Sequence, residues 1–186
     1  MMAAISGAKA GHQVHLLEKN EKLGKKIYIT GKGRCNLTNA CSMEDMMAAV
    51  VTNSKFLYSS FYGFTNQDVM DLVEAAGCPL KVERGGRVFP VSDHSSDVIR
   101  ALADRMNQLG VKVSLNTEVK SLIVEDGVCC GVILADGKKR LKADRVIVAT
   151  GGLSYPSTGS TGDGYQWARQ AGHKAVSYTH LTLPTT

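Results

Sequence analysis

Nowhere in the sequence does an apolar run approach the roughly 20 residues of a membrane-spanning helix. The opening residues, MMAAISGAKAGHQ, have no charged segment followed by a long apolar core, so they do not read as a secretory signal. The five cysteines, Cys35, Cys41, Cys78, Cys129 and Cys130, are odd in number and form no C-x-x-C pair. That excludes a disulfide framework and a cysteine zinc site, and the reducing cytoplasm is the expected compartment. Aromatic residues are scarce at 6%, and the net charge of +5 comes from 22 basic and 17 acidic side chains without a basic stripe. A nucleic-acid surface of basic groups and aromatic platforms is therefore not expected, and neither is a membrane partner. No G-x-x-x-x-G-K-[ST] string occurs, which excludes a P-loop.

What is present is an ordinary globular balance, 44% hydrophobic and 21% charged over 186 residues, enough for one domain with a full core. Residues 1–10 read as a helix rich in small side chains, stopped by Gly11. QVHLLE reads as a short buried strand ending at Glu18. The unit helix, glycine, strand, acid is the second half of a βαβ nucleotide-binding unit. Helices are predicted over 43–51, with Ser42 as N-cap, over SKFLYSSFYGF, and over NQDVMDLVEAAG, with Thr65 as cap. PLKVERGGRVFPVS reads as extended segments around a Gly85–Gly86 turn. Val98, Ile99, Leu102, Met106 and Leu109 recur at helical spacing in SSDVIRALADRMNQLG. After Gly110 the period becomes two, and VKVSLN, EVKSLIVED, GVCCGVILAD and KKRLKA read as strands with turns at Asp126–Gly127 and Asp136–Gly137. The apolar run Arg145–Thr150, breaking into Gly151–Gly152, reads as a central parallel strand meeting a ligand. TGSTGDGYQWARQAG opens a helix after a glycine-rich loop, with Asp163 placed to cap it.

Three stretches carry chemistry. Glu18 follows a strand, where an acid about 20 residues after the first glycine of a dinucleotide fingerprint holds ribose hydroxyls. Counting back puts that glycine before Met1. GKKIYITGKGRCNLTN, residues 24–39, gathers Gly24, Gly31 and Gly33, the cations Lys25, Lys26, Lys32 and Arg34, and short polar groups. Glycines let backbone N–H groups approach an anion that Lys or Arg neutralises, so the stretch reads as an anion cradle, with Arg34 able to grip phosphate bidentately. VIVATGGLSYPSTGSTGDG, residues 146–164, supplies paired glycines that admit a cofactor to the backbone. Cys35 reads as a buried thiol, and Tyr28, Tyr62, His94 and Tyr155 read as structural.

GKKIYITGKGRCNLTN, GRVFP and TGSTGDGY, together with the N-T-E-V strand at 116–119 and A-T-G-G, resemble the BaiN/YhiN-type family of NAD(P)/FAD-dependent oxidoreductases, also termed aminoacetone-oxidase-like. The resemblance runs from Met1 to about Val176. It implies an α/β, FAD/NAD(P)-binding Rossmann-like fold: a central parallel sheet, helices on one face and a β-meander on the other. Residues 1–176 would be a partial FAD-binding domain without its first strand and glycine loop, with a helical excursion over about 42–92. Residues 177–186, within the closing string VSYTHLTLPTT, read as a non-native tail.

The implied cofactor is FAD, with NAD(P)H as electron donor and a small unsaturated or keto compound as substrate. By the resemblance, Glu18 would hold the adenosine ribose with Lys19 beside it. Gly24, Lys25 and Lys26 would begin a helix aimed at the pyrophosphate. Thr30, Gly31, Gly33, Arg34 and Asn36 would line the cofactor toward the flavin, and Val119 would offer its backbone to the adenine. Ala149, Thr150, Gly151 and Gly152 would pack along the cofactor, and Gly162 and Asp163 would close it. Two other classes are weighed beside the enzyme: a non-catalytic flavin- or nucleotide-binding module, and a basic nucleic-acid-binding domain.

Overall fold

A computed structural model describes residues 1–176, so the expected non-native tail at 177–186 lies outside the described residues. The chain forms two compact units, Met1–Leu115 and a second beginning at Asn116. No helix among the described residues is long and apolar enough to cross a membrane.

The first unit starts with α1, Met2–Lys9, whose Ala4 and Ile5 are buried. A Cβ on Gly7 would stand 3.1 Å from Val14 Cγ2, so the small residues let the helix pack closely on the following chain. β1, His15–Leu17, pairs in parallel with β5, Lys112–Ser114, in the register Leu16 to Val113. Between them runs the excursion. α2 spans Lys25–Ile29, β2 Thr38–Asn39 and α3 Met43–Ala48, where the Ser42 hydroxyl accepts from Asp45 N at 3.1 Å as predicted. The helix expected over 54–64 divides into a 3-10 turn, Ser54–Leu57, and α4, Tyr58–Gly63. α5, Asn66–Ala75, begins with a reciprocal capping box between Thr65 and Asp68. β3, Leu80–Glu83, and β4, Arg87–Pro90, form an antiparallel sheet with β2, in the order β2-β4-β3.

α6, Ser95–Gln108, turns Val98, Ala101, Leu102 and Met106 inward at the spacing read from the sequence. They meet Ala4, Ile5, Cys35, Val73, Cys78 and Val111 in one core. Each fully buried large apolar side chain there stabilises the unit by about 1.5–3 kcal/mol.

The second unit is led by an antiparallel meander of β6, Val119–Glu125, β7, Val128–Leu134, and β8, Arg140–Lys142. Asp126 and Gly127 both adopt positive φ, 51° and 77°, the twist a two-residue hairpin requires. α7, Asp163–Gln170, packs on the meander through buried Trp167, whose indole N–H donates to the Lys120 carbonyl at 3.1 Å.

One expected element is absent. Residues 145–150 are not a strand: none of the described residues pairs with them in a ladder, and Ile147 is 68% exposed. Composition gives the run its strand character, but a strand exists only through a ladder partner.

Candidate functional site

In the first unit the predicted residues gather around the end of β1, α2 and the turn that follows. Glu18 N–H donates to Ser114 O at 2.9 Å, carrying the parallel pairing one residue past β1. Its Oε1 accepts from the Asn20 backbone N–H at 2.9 Å and from Asn20 Nδ2 at 2.7 Å, which fixes the carboxylate at the strand tip. Lys19 is half-buried in the same turn. Lys25 Nζ meets Glu21 at 3.0 Å and Asn20 Oδ1 at 3.4 Å, so this cation belongs to the turn as well. Gly24 caps α2 with φ 71°, and a Cβ there would stand 2.7 Å from Ile99 Cγ1. Glycine at 24 thus lets the start of α2 lie against Ile99 of α6. Ser95, buried at the start of α6, donates its hydroxyl to Tyr28 O at 3.1 Å and pins the other end of α2.

The loop 30–36 is locally strained. Gly31, Lys32, Gly33 and Cys35 have φ of 56°, 57°, 85° and 60°. For Lys32 and Cys35 the left-handed conformation costs roughly 1–2 kcal/mol each. Such a loop persists only where its surroundings over-determine it. Thr30 Oγ1 donates to Ile27 O at 2.7 Å, and Cys35 N–H donates to Thr30 O at 3.1 Å. The Cys35 side chain is 4% exposed, and burial pushes its thiol up, so it is a core group and not a reactive one. A Cβ on Gly31 would meet Asn36 N at 2.8 Å and Phe89 Cε1 at 3.3 Å. Asn36 itself is exposed.

Arg34 has partners that the sequence reading does not foresee: its guanidinium is engaged by two carboxylates. Nε and Nη2 donate to Asp93 Oδ1 at 2.8 and 2.5 Å, while Nη1 donates to Glu83 Oε2 at 3.4 Å and Nη2 to Glu83 Oε1. The ring of Phe89 lies 4.2 Å beneath it. Lys81 Nζ also meets Asp93, at 2.7 Å. The Arg34 hydrogen bond holds the Glu83 carboxyl below its ordinary range, and Lys81, then Arg34, do the same for Asp93. Sequence reasoning misses Lys81, Glu83, Asp93 and Phe89, which no motif ties to Arg34.

In the second unit, Val148, Ala149, Thr150 and Gly151 line a cavity of about 270 Å³ with Gly164 and Tyr165. Thr150 Oγ1 is buried there with no hydrogen-bond partner among the described residues. An unpaired buried hydroxyl costs about 1–3 kcal/mol. A Cβ on Gly164 would stand 2.9 Å from that oxygen, and one on Gly151 would stand 2.9 Å from Ser160 Oγ. Gly162 N–H donates to Gly152 O at 3.1 Å, which closes the loop below the cavity. Asp163 is the first residue of α7 and not its cap: Gly162 holds that place with φ 82°, and the Asp163 carboxylate accepts from Thr161 Oγ1 at 3.0 Å. Helical φ/ψ at 163 leaves the capping geometry to the residue before it. Val119 opens β6 opposite Leu134. Gly164, Tyr165 and Ser160 are missed by the sequence reading, although the TGDGY string holds two of the three.

Residues 1–181 match the family described as HI0933-like protein Rossmann domain. The chain is 36% identical over 176 residues to the 3-dehydro-bile acid delta(4,6)-reductase of Clostridium scindens, covering 93% of this chain and 41% of that protein. It is 30% identical over 172 residues to the ribosomal RNA dihydrouridine synthase of Escherichia coli K12, covering 92% and 42%. The chain therefore spans about two fifths of the length of these curated relatives. Among solved structures it is similar in fold to the 3-ketosteroid-delta4-(5alpha)-dehydrogenase of Rhodococcus jostii RHA1, with a TM-score of 0.58 and 17% identity over 82% of this chain and 44% of that one. The glycine-rich turns, the parallel pair and the meander are thus parts of a Rossmann-type α/β domain, and the chain belongs to the HI0933-like family, the BaiN/YhiN-type FAD-dependent oxidoreductases that its GRCN-x-TN and TGSTGDGY strings resemble.

Proposed function

We propose that the chain is the FAD-binding part of an oxidoreductase that reduces a carbon–carbon double bond conjugated to a carbonyl, with NAD(P)H as electron donor. The observation that carries this reading is the buried, partnerless Thr150 hydroxyl in the glycine-lined cavity of the A-T-G-G segment. An orphaned hydroxyl beside Gly164, whose Cβ would crowd it, suits a cofactor that approaches the backbone and offers polar atoms. Bound FAD would supply hydride transfer, and the chain would supply position and electrostatics. Glu18, fixed at the tip of β1, would accept from the ribose hydroxyls, with Lys19 adjacent. The backbone at Gly24, Lys25 and Lys26 would face the pyrophosphate. Thr30, Gly31, Gly33 and Asn36 would line the flavin side and Val119 the adenine. Ala149, Gly151, Gly152, Gly162 and Asp163 would pack along the cofactor.

The substrate class follows from the relatives' names. One names a steroid acid with a 3-oxo group and 4,6 double bonds; the other names the saturation of uridine. Both are carbon–carbon double bonds conjugated to a carbonyl, the acceptors that hydride attacks readily. A small molecule of this kind is the first reading, in a cytoplasmic setting. Uridine in RNA is the second, favoured by the 30% identity to the E. coli synthase. It runs against the low aromatic content and the mild charge.

The test is direct. The full-length protein is purified, its cofactor released and its absorbance recorded. NAD(P)H is then added to the loaded protein without oxygen, followed by a 4-en-3-one steroid or by unmodified ribosomal RNA. A flavin spectrum bleached by NAD(P)H and restored by the steroid supports the first reading. Restoration by RNA alone, with steep salt dependence, replaces it with the second. A colourless protein that binds no FAD removes both.

A further inference from the structure

The loop 30–36 and its surroundings give Arg34 a role different from the one its sequence suggests. We propose that Arg34 is a positioning residue: clamped between Glu83 and Asp93 and seated on Phe89, it holds the 30–36 loop in its strained shape and does not itself ligate the cofactor. The proposal rests on the reading that this loop lines FAD.

Three observations support it. First, the guanidinium is committed. Its Nε, Nη1 and Nη2 atoms all donate to carboxylate oxygens of Glu83 and Asp93, and one face lies 4.2 Å from the Phe89 ring. A guanidinium bonded along its fork and stacked on a ring is geometrically specified, unlike a mobile surface cation. Second, the charge of the guanidinium is matched where it sits. Arg34 and Lys81 pair with Glu83 and Asp93, two cations against two anions, while Arg87 lies farther out, 5.8 Å from the same Phe89 ring. Third, the clamp joins a strained segment to a rigid one. Arg34 sits between left-handed Gly33 and left-handed Cys35, while Glu83 ends β3. Asp93 itself has φ 59° and is tied back by its N–H to Pro90 O at 3.0 Å. A loop of unfavourable φ values needs such external anchors, and burial of Cys35 secures only one side of it.

The clamp and direct ligation differ in sign, which makes them separable. The full-length protein is prepared unmodified and as Arg34→Met, Arg34→Lys and the double variant Glu83→Gln with Asp93→Asn. FAD affinity is read by flavin fluorescence, and amide exchange of residues 31–36 is read in the cofactor-free protein. The clamp predicts that all three variants accelerate exchange in the loop by about tenfold or more. It predicts that all three weaken FAD by about fivefold or more. Exchange in β6 and β7 stays unchanged. Arg34→Lys does not rescue, because a single ammonium cannot reproduce the fork across two carboxylates. Direct ligation predicts the opposite for the carboxylate variant: a released guanidinium would hold FAD equally well or better. That result, or loop exchange unchanged in Arg34→Met, overturns the proposal. If the unmodified protein binds no FAD, the cofactor reading fails, and the exchange measurement alone decides the clamp: acceleration in all three variants supports it, and unchanged exchange in Arg34→Met overturns it.

Discussion

A Cβ placed on Gly164 would stand 2.9 Å from the hydroxyl oxygen of Thr150, an oxygen that is buried and hydrogen-bonded to nothing among the described residues. The first turn of α7 thus approaches the A-T-G-G segment so closely that only a hydrogen fits between them. Two substitutions exploit this. Thr150→Val replaces the orphaned hydroxyl by a methyl of similar size. Removing an unsatisfied buried polar group should raise the stability of the cofactor-free protein by about 1 kcal/mol. The same change should weaken FAD binding by about fivefold to tenfold if, as proposed, the hydroxyl's partner is the cofactor. Gly164→Ala should weaken FAD as well, without the gain in stability. Urea unfolding and FAD titration check the pair. A Thr150→Val protein that loses stability and keeps its FAD affinity would show that the hydroxyl serves the fold alone.

The clamp makes its own prediction about acid. Glu83 is held below its ordinary value chiefly by the Arg34 hydrogen bond, and Asp93 by Lys81 and then Arg34. Depressed carboxyls bind fewer protons in the folded protein than in the unfolded one. Their contribution is therefore complete above the unfolded values, near pH 4, and is lost as pH falls through the lower folded values. Exchange protection of the 31–36 amides, compared with that of β3 and β4 at each pH, should hold from about pH 7 to 5 and fall only below about pH 4. In the Glu83→Gln, Asp93→Asn protein the relative protection should be low throughout and no longer vary with pH. A midpoint near neutrality would point to a different group.

The core offers a simpler check. Met106 is fully buried between α6 and its neighbours in the first unit. Met106→Ala should cost about 2–5 kcal/mol, the range for emptying a packed site. The denaturant midpoint for the first unit should fall accordingly. A loss under about 1 kcal/mol would mean that the site collapses onto the smaller residue.

The sequence is legible where the deciding contacts are local. α6 can be read because Val98, Leu102 and Met106 repeat at a period set by the helix itself. Ser42 and Thr65 can be read as caps because capping is a contact between residues three apart. The expected strand at 145–150 fails because its identity depends on a partner distant in the chain, and apolar content says nothing about that partner. The partners of Arg34 are illegible for the same reason: Glu83 and Asp93 lie 49 and 59 positions away. Thr150 stands out within A-T-G-G, yet the lack of a partner for its oxygen is a property of three-dimensional burial alone.

Glu18 supplies the last prediction, and the Asn20 contacts choose the substitution. Glu18→Ala removes both the carboxylate and the acceptor for two Asn20 donors, so it would disturb the turn after β1 along with any ligand. Glu18→Gln keeps an amide oxygen that can accept from the Asn20 backbone N–H. Its NH₂ group, however, cannot accept from a ribose hydroxyl, and the charge is gone. Hydrogen bonds to a charged group contribute about 1.5–3 kcal/mol. The Glu18→Gln protein should therefore bind FAD about tenfold to a hundredfold more weakly. Its unfolding midpoint should stay close to that of the unmodified protein, because the turn survives. Calorimetric titration of the unmodified and Glu18→Gln proteins with FAD and with riboflavin separates the contribution. Riboflavin lacks the adenosine ribose, so its affinity should be the same with and without the substitution. Equal weakening toward both ligands would place Glu18 away from the ribose and remove the strand-tip acid from the cofactor site.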